Sequence, residues 1–164
     1  MSFIETGILE CEDIVTPSEE RFQEGPVAII ECVQQIPCNP CVDSCNRGAI
    51  TIEGSINNIP RVDYEKCNGC GLCVANCPGL AIFLVDQTFE ENLAQVGIPY
   101  EFRPLPEEEE TVLLLDRAGE VCGEGKIVKV RNTKAQDRTP VVFLSMAKDL
   151  AMKTRFFRRK TDEG

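Results

Sequence analysis

One run of the chain, Cys67-x2-Cys70-x2-Cys73-x3-Cys77-Pro78, constrains the fold more than anything else in its 164 residues. Three thiols spaced by two residues must sit on one tight loop. The fourth lies too far round that loop to reach the same small centre and points to a neighbouring one. Gly69 and Gly71 let the backbone bend toward whatever the thiols surround, because glycine tolerates positive φ. Pro78 then redirects the chain. The run has an echo: Cys38, Cys41, Cys45, Ala49 and Ile50 recur as Cys70, Cys73, Cys77, Ala81 and Ile82, each 32 residues on. Both copies lead into apolar segments, Ala49-Ile50-Thr51-Ile52 and Ala81-Ile82-Phe83-Leu84-Val85. A repeated unit of this kind implies two equivalent half-sites sharing one core.

The chain has ten cysteines and no histidine. That excludes a Ser-His-Asp or Cys-His site, a His-ligated metal or haem, and Cys2His2 zinc. The N-terminus, Met1-Ser2-Phe3-Ile4-Glu5, has no basic region followed by an apolar run, so a cytoplasmic, reducing setting is expected. No apolar stretch is long enough to span a membrane. Cysteines among reducing pools point to metal or redox chemistry, and this spacing points to iron–sulfur rather than zinc or disulfides.

Charge and punctuation divide the chain into four expected regions: an acidic, irregular extension 1–26, a cysteine-rich region 27–85, an extended acidic and proline-rich connector 86–110, and a second unit 111–164. Residues 1–116 carry 5 basic and 21 acidic groups, and residues 117–164 carry 12 basic and 6 acidic, within an overall net charge of −10. The acidic part argues against nucleic acid, whose phosphates need positive charge.

Residues 27–85 resemble the bacterial-type ferredoxin domain that holds two 4Fe–4S clusters. The resemblance implies an α+β fold with a pseudo-twofold repeat, and electron transfer without substrate chemistry or catalytic residues. It implies that Cys67, Cys70 and Cys73 bind one cluster together with Cys45 from the first half, while Cys77 reaches back to the other. The first half departs from the family pattern, because the repeat puts its first ligand at Gln35. The strand Val27-Ala28-Ile29-Ile30 leads instead to Cys32, which gives a first set of Cys32, Cys38, Cys41 and Cys77, with extra residues bulging between Val33 and Pro37. The alternative is that Cys32 is core and the first site is degenerate. Asn46 stands where the family usually has proline; it either donates toward a cluster or satisfies a turn. Cys11 and Cys122 are left over as structural or incidental.

Around the motifs, Ile50–Ile59 reads as a hairpin turning near Gly54-Ser55, and Ile50, Ile52, Ile56, Ile59, Ile82 and Leu84 as core. Tyr64, just before Cys67, reads as core, with packing against a cluster as the alternative. In the second unit, Thr111–Leu115, Lys126–Arg131 and Pro140–Leu144 read as strands, and the glycine-rich run Gly119–Gly125 as a turn. Lys148–Lys160 reads as a basic helix. Its role has three competing readings: a solvated helix on the second unit, a dock for an acidic partner or for this chain's own acidic part, or a helix lying on an anionic membrane surface.

The whole chain also resembles the small iron–sulfur subunits that accompany flavoprotein dehydrogenases, including those acting on amino acids in anaerobes. This rests on Glu31–Ile50, Cys77–Phe83 and, weakly, Asp137–Val142. It implies a flavoprotein partner carrying FAD or FMN in a hetero-oligomeric oxidoreductase complex, and a subunit without its own substrate chemistry. The alternatives are a freely diffusing two-cluster ferredoxin and an iron–sulfur redox-responsive regulatory protein.

Overall fold

The computed structural model describes residues 1–134 and 139–162. Of the weak tail resemblance, Asp137 and Arg138 therefore lie outside the described residues.

Among the described residues, nine strands dominate. Seven form one antiparallel sheet: β1 (Val27–Ile30), β4 (Ile82–Asp86), β5 (Leu93–Pro99), β6 (Thr111–Leu115), β7 (Val121–Arg131), β8 (Val141–Ala147) and β9 (Phe156–Arg159), in the order β1-β4-β5-β8-β7-β6-β9. A second small sheet pairs β2 (Ile50–Thr51) with β3 (Arg61–Val62). The helices are single turns: α1 (Phe3–Thr6), α2 (Glu19–Phe22), α3 (Pro40–Ser44) and α4 (Leu72–Asn76). Among the described residues, no helix is long and apolar enough to cross a membrane.

The inner strands read as nearly continuous apolar runs because the large sheet is covered on both faces. Strand alternation sorts the side chains. Val27, Ile29, Val85, Val96, Ile98, Val112 and Leu114 face one core, where Tyr100 stacks on Phe157 with ring centroids 5.1 Å apart. Ala28, Ile82, Leu84, Val141 and Phe143 face the other, and there the cysteine-bearing turns α3 and α4 lie against them. The sheet is thus the floor on which the cysteine region rests.

Four expectations change. The stretch read as a connector contributes β5, which lies between β4 and β8. The glycine-rich run is not a turn beyond Gly119, which has φ +80°. From Val121 it is strand, and a Cβ on Gly125 would lie 2.5 Å from the Ser145 carbonyl oxygen, so Gly125 serves close packing rather than bending. Lys148–Lys160 is not a helix. It is a 3-10 turn (Lys148–Leu150), then β9, then another 3-10 turn from Lys160. Phe156 and Phe157 pair with Leu115 and Leu114, and burying that aromatic edge outweighs a helical pattern of isolated charges. Finally, Ile56 and Ile59 are exposed, because the β2–β3 hairpin closes through a long loop that holds them clear of the core, whereas Ile50, Ile82 and Leu84 are buried.

The basic tail instead docks on this chain's own carboxylates. Arg155 Nε donates to Glu31 at 2.7 Å, Arg159 Nε to Glu110 at 2.7 Å, and Lys160 lies 2.9 Å from Glu124.

Candidate metal centre

The eight motif cysteines gather at two places. Cys32, Cys38, Cys41 and Cys77 line one cavity, together with Ile30, Pro40, Pro78 and Ile82. Cys45, Cys67, Cys70 and Cys73 line the other, together with Ala28, Ala49, Ile50 and Gly71. The two cavities are small, about 30 and 20 Å³. Each therefore draws thiols from both halves of the repeat. All eight are free thiols. They stand around cavities, and among the described residues no three His, Cys, Asp or Glu side chains converge tightly enough for a single ion.

Local chemistry builds these walls. α3 and α4 begin two residues after Cys38 and Cys70 respectively and carry Cys41 and Cys73 inward. Both are cut to one turn, so the chain leaves each in an extended conformation at Cys45 and Cys77. Immediately after, Ala49 N–H donates to Cys45 Sγ at 3.3 Å and Ala81 N–H to Cys77 Sγ at 3.5 Å, the same bond 32 residues apart. Such donors delocalise charge from a thiolate and tune what it binds. Gly69, at φ +71°, admits no side chain, since a Cβ would lie 2.5 Å from the Pro26 carbonyl oxygen.

The thiols also repel one another. Burial, then Cys77 and Cys38, pushes Cys41 up to about 11. Burial, then Cys67, Cys70, Cys45 and Cys41, pushes Cys73 up to about 12. Cys32 is raised by burial and by Cys77 and Cys38. Without a cation at their centre these groups stay protonated at neutral pH, and only positive charge in the cavity makes four thiolates tolerable together. An all-thiol donor set with backbone N–H donors on sulfur fits an iron–sulfur group.

Gln35, the position indicated by the repeat, lies exposed on the rim of a neighbouring groove, whereas Cys32 lines both that groove and the first cavity. Residues 34–37 are exposed, where the sequence requires extra chain to bulge out. Asn46 is exposed in the turn closed by the Gly48 N–H to Cys45 carbonyl bond. Tyr64 packs against the main core and donates through its hydroxyl to the Val15 carbonyl at 3.0 Å. Cys11 is exposed, 3.8 Å from Arg117 Nη1; Cys122 lies 3.8 Å from the Thr154 hydroxyl, and neither reaches a cavity.

Sequence reasoning missed the arginines. Arg21 is buried, and its fork donates to the carbonyls of Tyr64 (2.7 Å), Gly25 (3.1 Å), Pro26 (2.8 Å) and Cys67 (2.9 Å). Arg131 donates to the Cys70 carbonyl at 2.7 Å. The only hint in the sequence is that Arg21 is one of few cations in an acidic stretch.

Residues 60–83 match the 4Fe-4S binding domain family. The ferredoxin-type protein NapF of Escherichia coli (strain K12) is 41% identical over 51 residues, which are 30% of this chain and 31% of that protein. The polyferredoxin-like subunit of an aliphatic sulfonate oxidoreductase from Pyrococcus furiosus is 35% identical over 78 residues, 45% of this chain and 44% of the relative. A subunit of an ion-translocating oxidoreductase complex from Methanosarcina acetivorans is 43% identical over 49 residues, 30% and 17% of the two chains. The chain spans about a third of the length of the first curated relatives it matches. No solved structure matches it.

Proposed function

We propose that this chain is an iron–sulfur electron-transfer subunit that holds two 4Fe–4S clusters and relays single electrons to or from a flavoprotein within a cytoplasmic oxidoreductase complex. The observation that carries the reading is the sorting of eight thiols into two interleaved sets, each around its own cavity. The match of residues 60–83 to a 4Fe-4S binding domain supports the cofactor class, and relatives named as oxidoreductase subunits support the assembly. The flavin, FAD or FMN, belongs to the partner and follows from the resemblance of the whole chain to small dehydrogenase subunits.

The bound clusters supply the one-electron chemistry. The protein's own groups do the rest. Cys32, Cys38, Cys41 and Cys77 hold the first centre, and Cys45, Cys67, Cys70 and Cys73 the second. The N–H groups of Ala49 and Ala81 stabilise ligand charge, while Ala28, Ile50, Ile82 and Leu84 wall the thiols from water. No acid, base or nucleophile is required of this chain.

The test is anaerobic purification of the native protein with iron, sulfide and flavin quantified together. About eight irons per chain and a co-purifying flavoprotein are expected. About four irons removes the second cluster from the proposal, and eight irons on a protein that purifies alone favours the freely diffusing carrier.

A further inference from the structure

The two cavities differ in the charge around them. The loop Tyr64–Cys70, which carries two thiols of the second cavity's set, has its carbonyls tied by arginines from outside the repeat. Arg21 comes from the N-terminal segment and reaches the Tyr64 and Cys67 carbonyls. Arg131 comes from the end of β7 and reaches the Cys70 carbonyl, with its guanidinium also 4.9 Å from the Phe143 ring centroid. Among the described residues both guanidinium groups donate to carbonyls and neither pairs with a carboxylate. Arg47 adds a third cation to the lining of the same cavity. On the first side, Arg117 and Arg155 share the Glu31 carboxylate next to Cys32, and the groove beside Cys32 carries Asp13 and Glu53 against Arg61.

Reduction adds one electron, hence one negative charge, to a centre. Nearby cations favour that state, Arg21 from a buried position and Arg131 from a partly exposed one. A carbonyl that accepts from a guanidinium also polarises its peptide unit, which strengthens the N–H at the other end as a donor. Here those N–H groups belong to Asn68 and Gly71, both lining the second cavity.

Resting on the two-centre reading above, we propose that Arg21 and Arg131 are positioning residues that make the centre held by Cys45, Cys67, Cys70 and Cys73 the higher in potential, so that an electron entering at the first centre settles on the second. The N-terminal segment and the β7 end thereby act on electron distribution as well as on folding.

The test is reductive titration of the full chain, loaded anaerobically and followed by EPR, in wild type, Arg131→Gln, Arg131→Lys and Cys32→Ala forms. Iron is counted first. A wild type with fewer than about eight irons ends the two-centre reading and this proposal with it, while eight irons with unaltered potentials ends this proposal alone. Arg131→Gln is expected to lower the upper midpoint only. At a fixed potential the reduced-to-oxidised ratio of that centre should fall about tenfold, equivalent to about 59 mV. Arg131→Lys, which keeps the charge, should recover most of the shift. In Cys32→Ala the surviving centre should keep the upper midpoint. The proposal is overturned by a shift confined to the lower midpoint, by a Lys variant that behaves like Gln, or by a survivor with the lower midpoint. Where Arg131→Gln does not load, the Cys32→Ala form decides: an upper midpoint in its surviving centre supports the proposal and the lower one overturns it.

Discussion

Cys32 is the residue on which the proposed first centre turns. The repeat points to Gln35, yet the side chain lining the cavity with Cys38, Cys41 and Cys77 is Cys32. β1 explains the substitution: its last residue, Ile30, pairs with Ile82, and the Glu31 N–H still donates to the Ala81 carbonyl at 2.8 Å. The strand therefore delivers Cys32 directly to the cavity mouth, and the surplus residues swing outward. Cys32→Ala should take bound iron below the about eight expected of the wild type, either by losing the first centre or by leaving it one iron short. Gln35→Ala should leave iron unchanged. Equal iron in Cys32→Ala and wild type, measured by colorimetric assay after anaerobic loading, would assign the fourth position elsewhere.

β9 shows what a strand edge does that a helix would not. It adds to β6 and brings Arg159 onto Glu110, to which it donates at 2.7 and 3.0 Å. The hydrogen bonds from Arg159 hold the Glu110 carboxyl below its ordinary 4.5. A carboxyl whose folded value is depressed contributes stability that is complete above its unfolded value and lost as pH falls through the folded one. Glu110→Gln should therefore cost about 1–2 kcal/mol at pH 7, and the gap from wild type should close below pH 4.5. Urea unfolding at pH 7 and pH 4 reads this, and a pH-independent difference would count against it. The same element marks a limit of legibility. The strands at Val27, Thr111 and Val141 were readable because local period carries them, and the grouping of the motif cysteines around two cavities is what their spacing and the ferredoxin resemblance lead one to expect. β9 and the packing role of Gly125 were not readable, because both are set by partners far along the chain: Leu114 and Leu115 for one, Ser145 for the other. Arg21 and Arg131 escaped for the same reason, since their acceptors are backbone carbonyls that no sequence pattern announces.

At the scale of the molecule, the division into an acidic front and a basic tail becomes a set of internal contacts. Glu31, beside Cys32, accepts from both Arg117 and Arg155, and all three side chains are nearly inaccessible. Removing one partner of a buried ionic group leaves uncompensated charge. Glu31→Gln should thus cost about 3 kcal/mol, visible as a lowered urea midpoint of the loaded protein, whereas a change within about 0.5 kcal/mol would mean the arginines find water. Through that carboxylate the chain's end is held to the strand that enters the first cavity, so the front and the tail are bound to stand or fall together.

The exchange of thiols between the halves reaches beyond geometry to assembly. Cys77 stands in the wall of the cavity that begins at Cys32, and Cys45 in the wall of the one completed at Cys73. As the chain emerges during synthesis, the earlier vessel lacks a side until the later half has been made, and the later one leans on the earlier. A cut between the repeats would leave two open bowls instead of one working half.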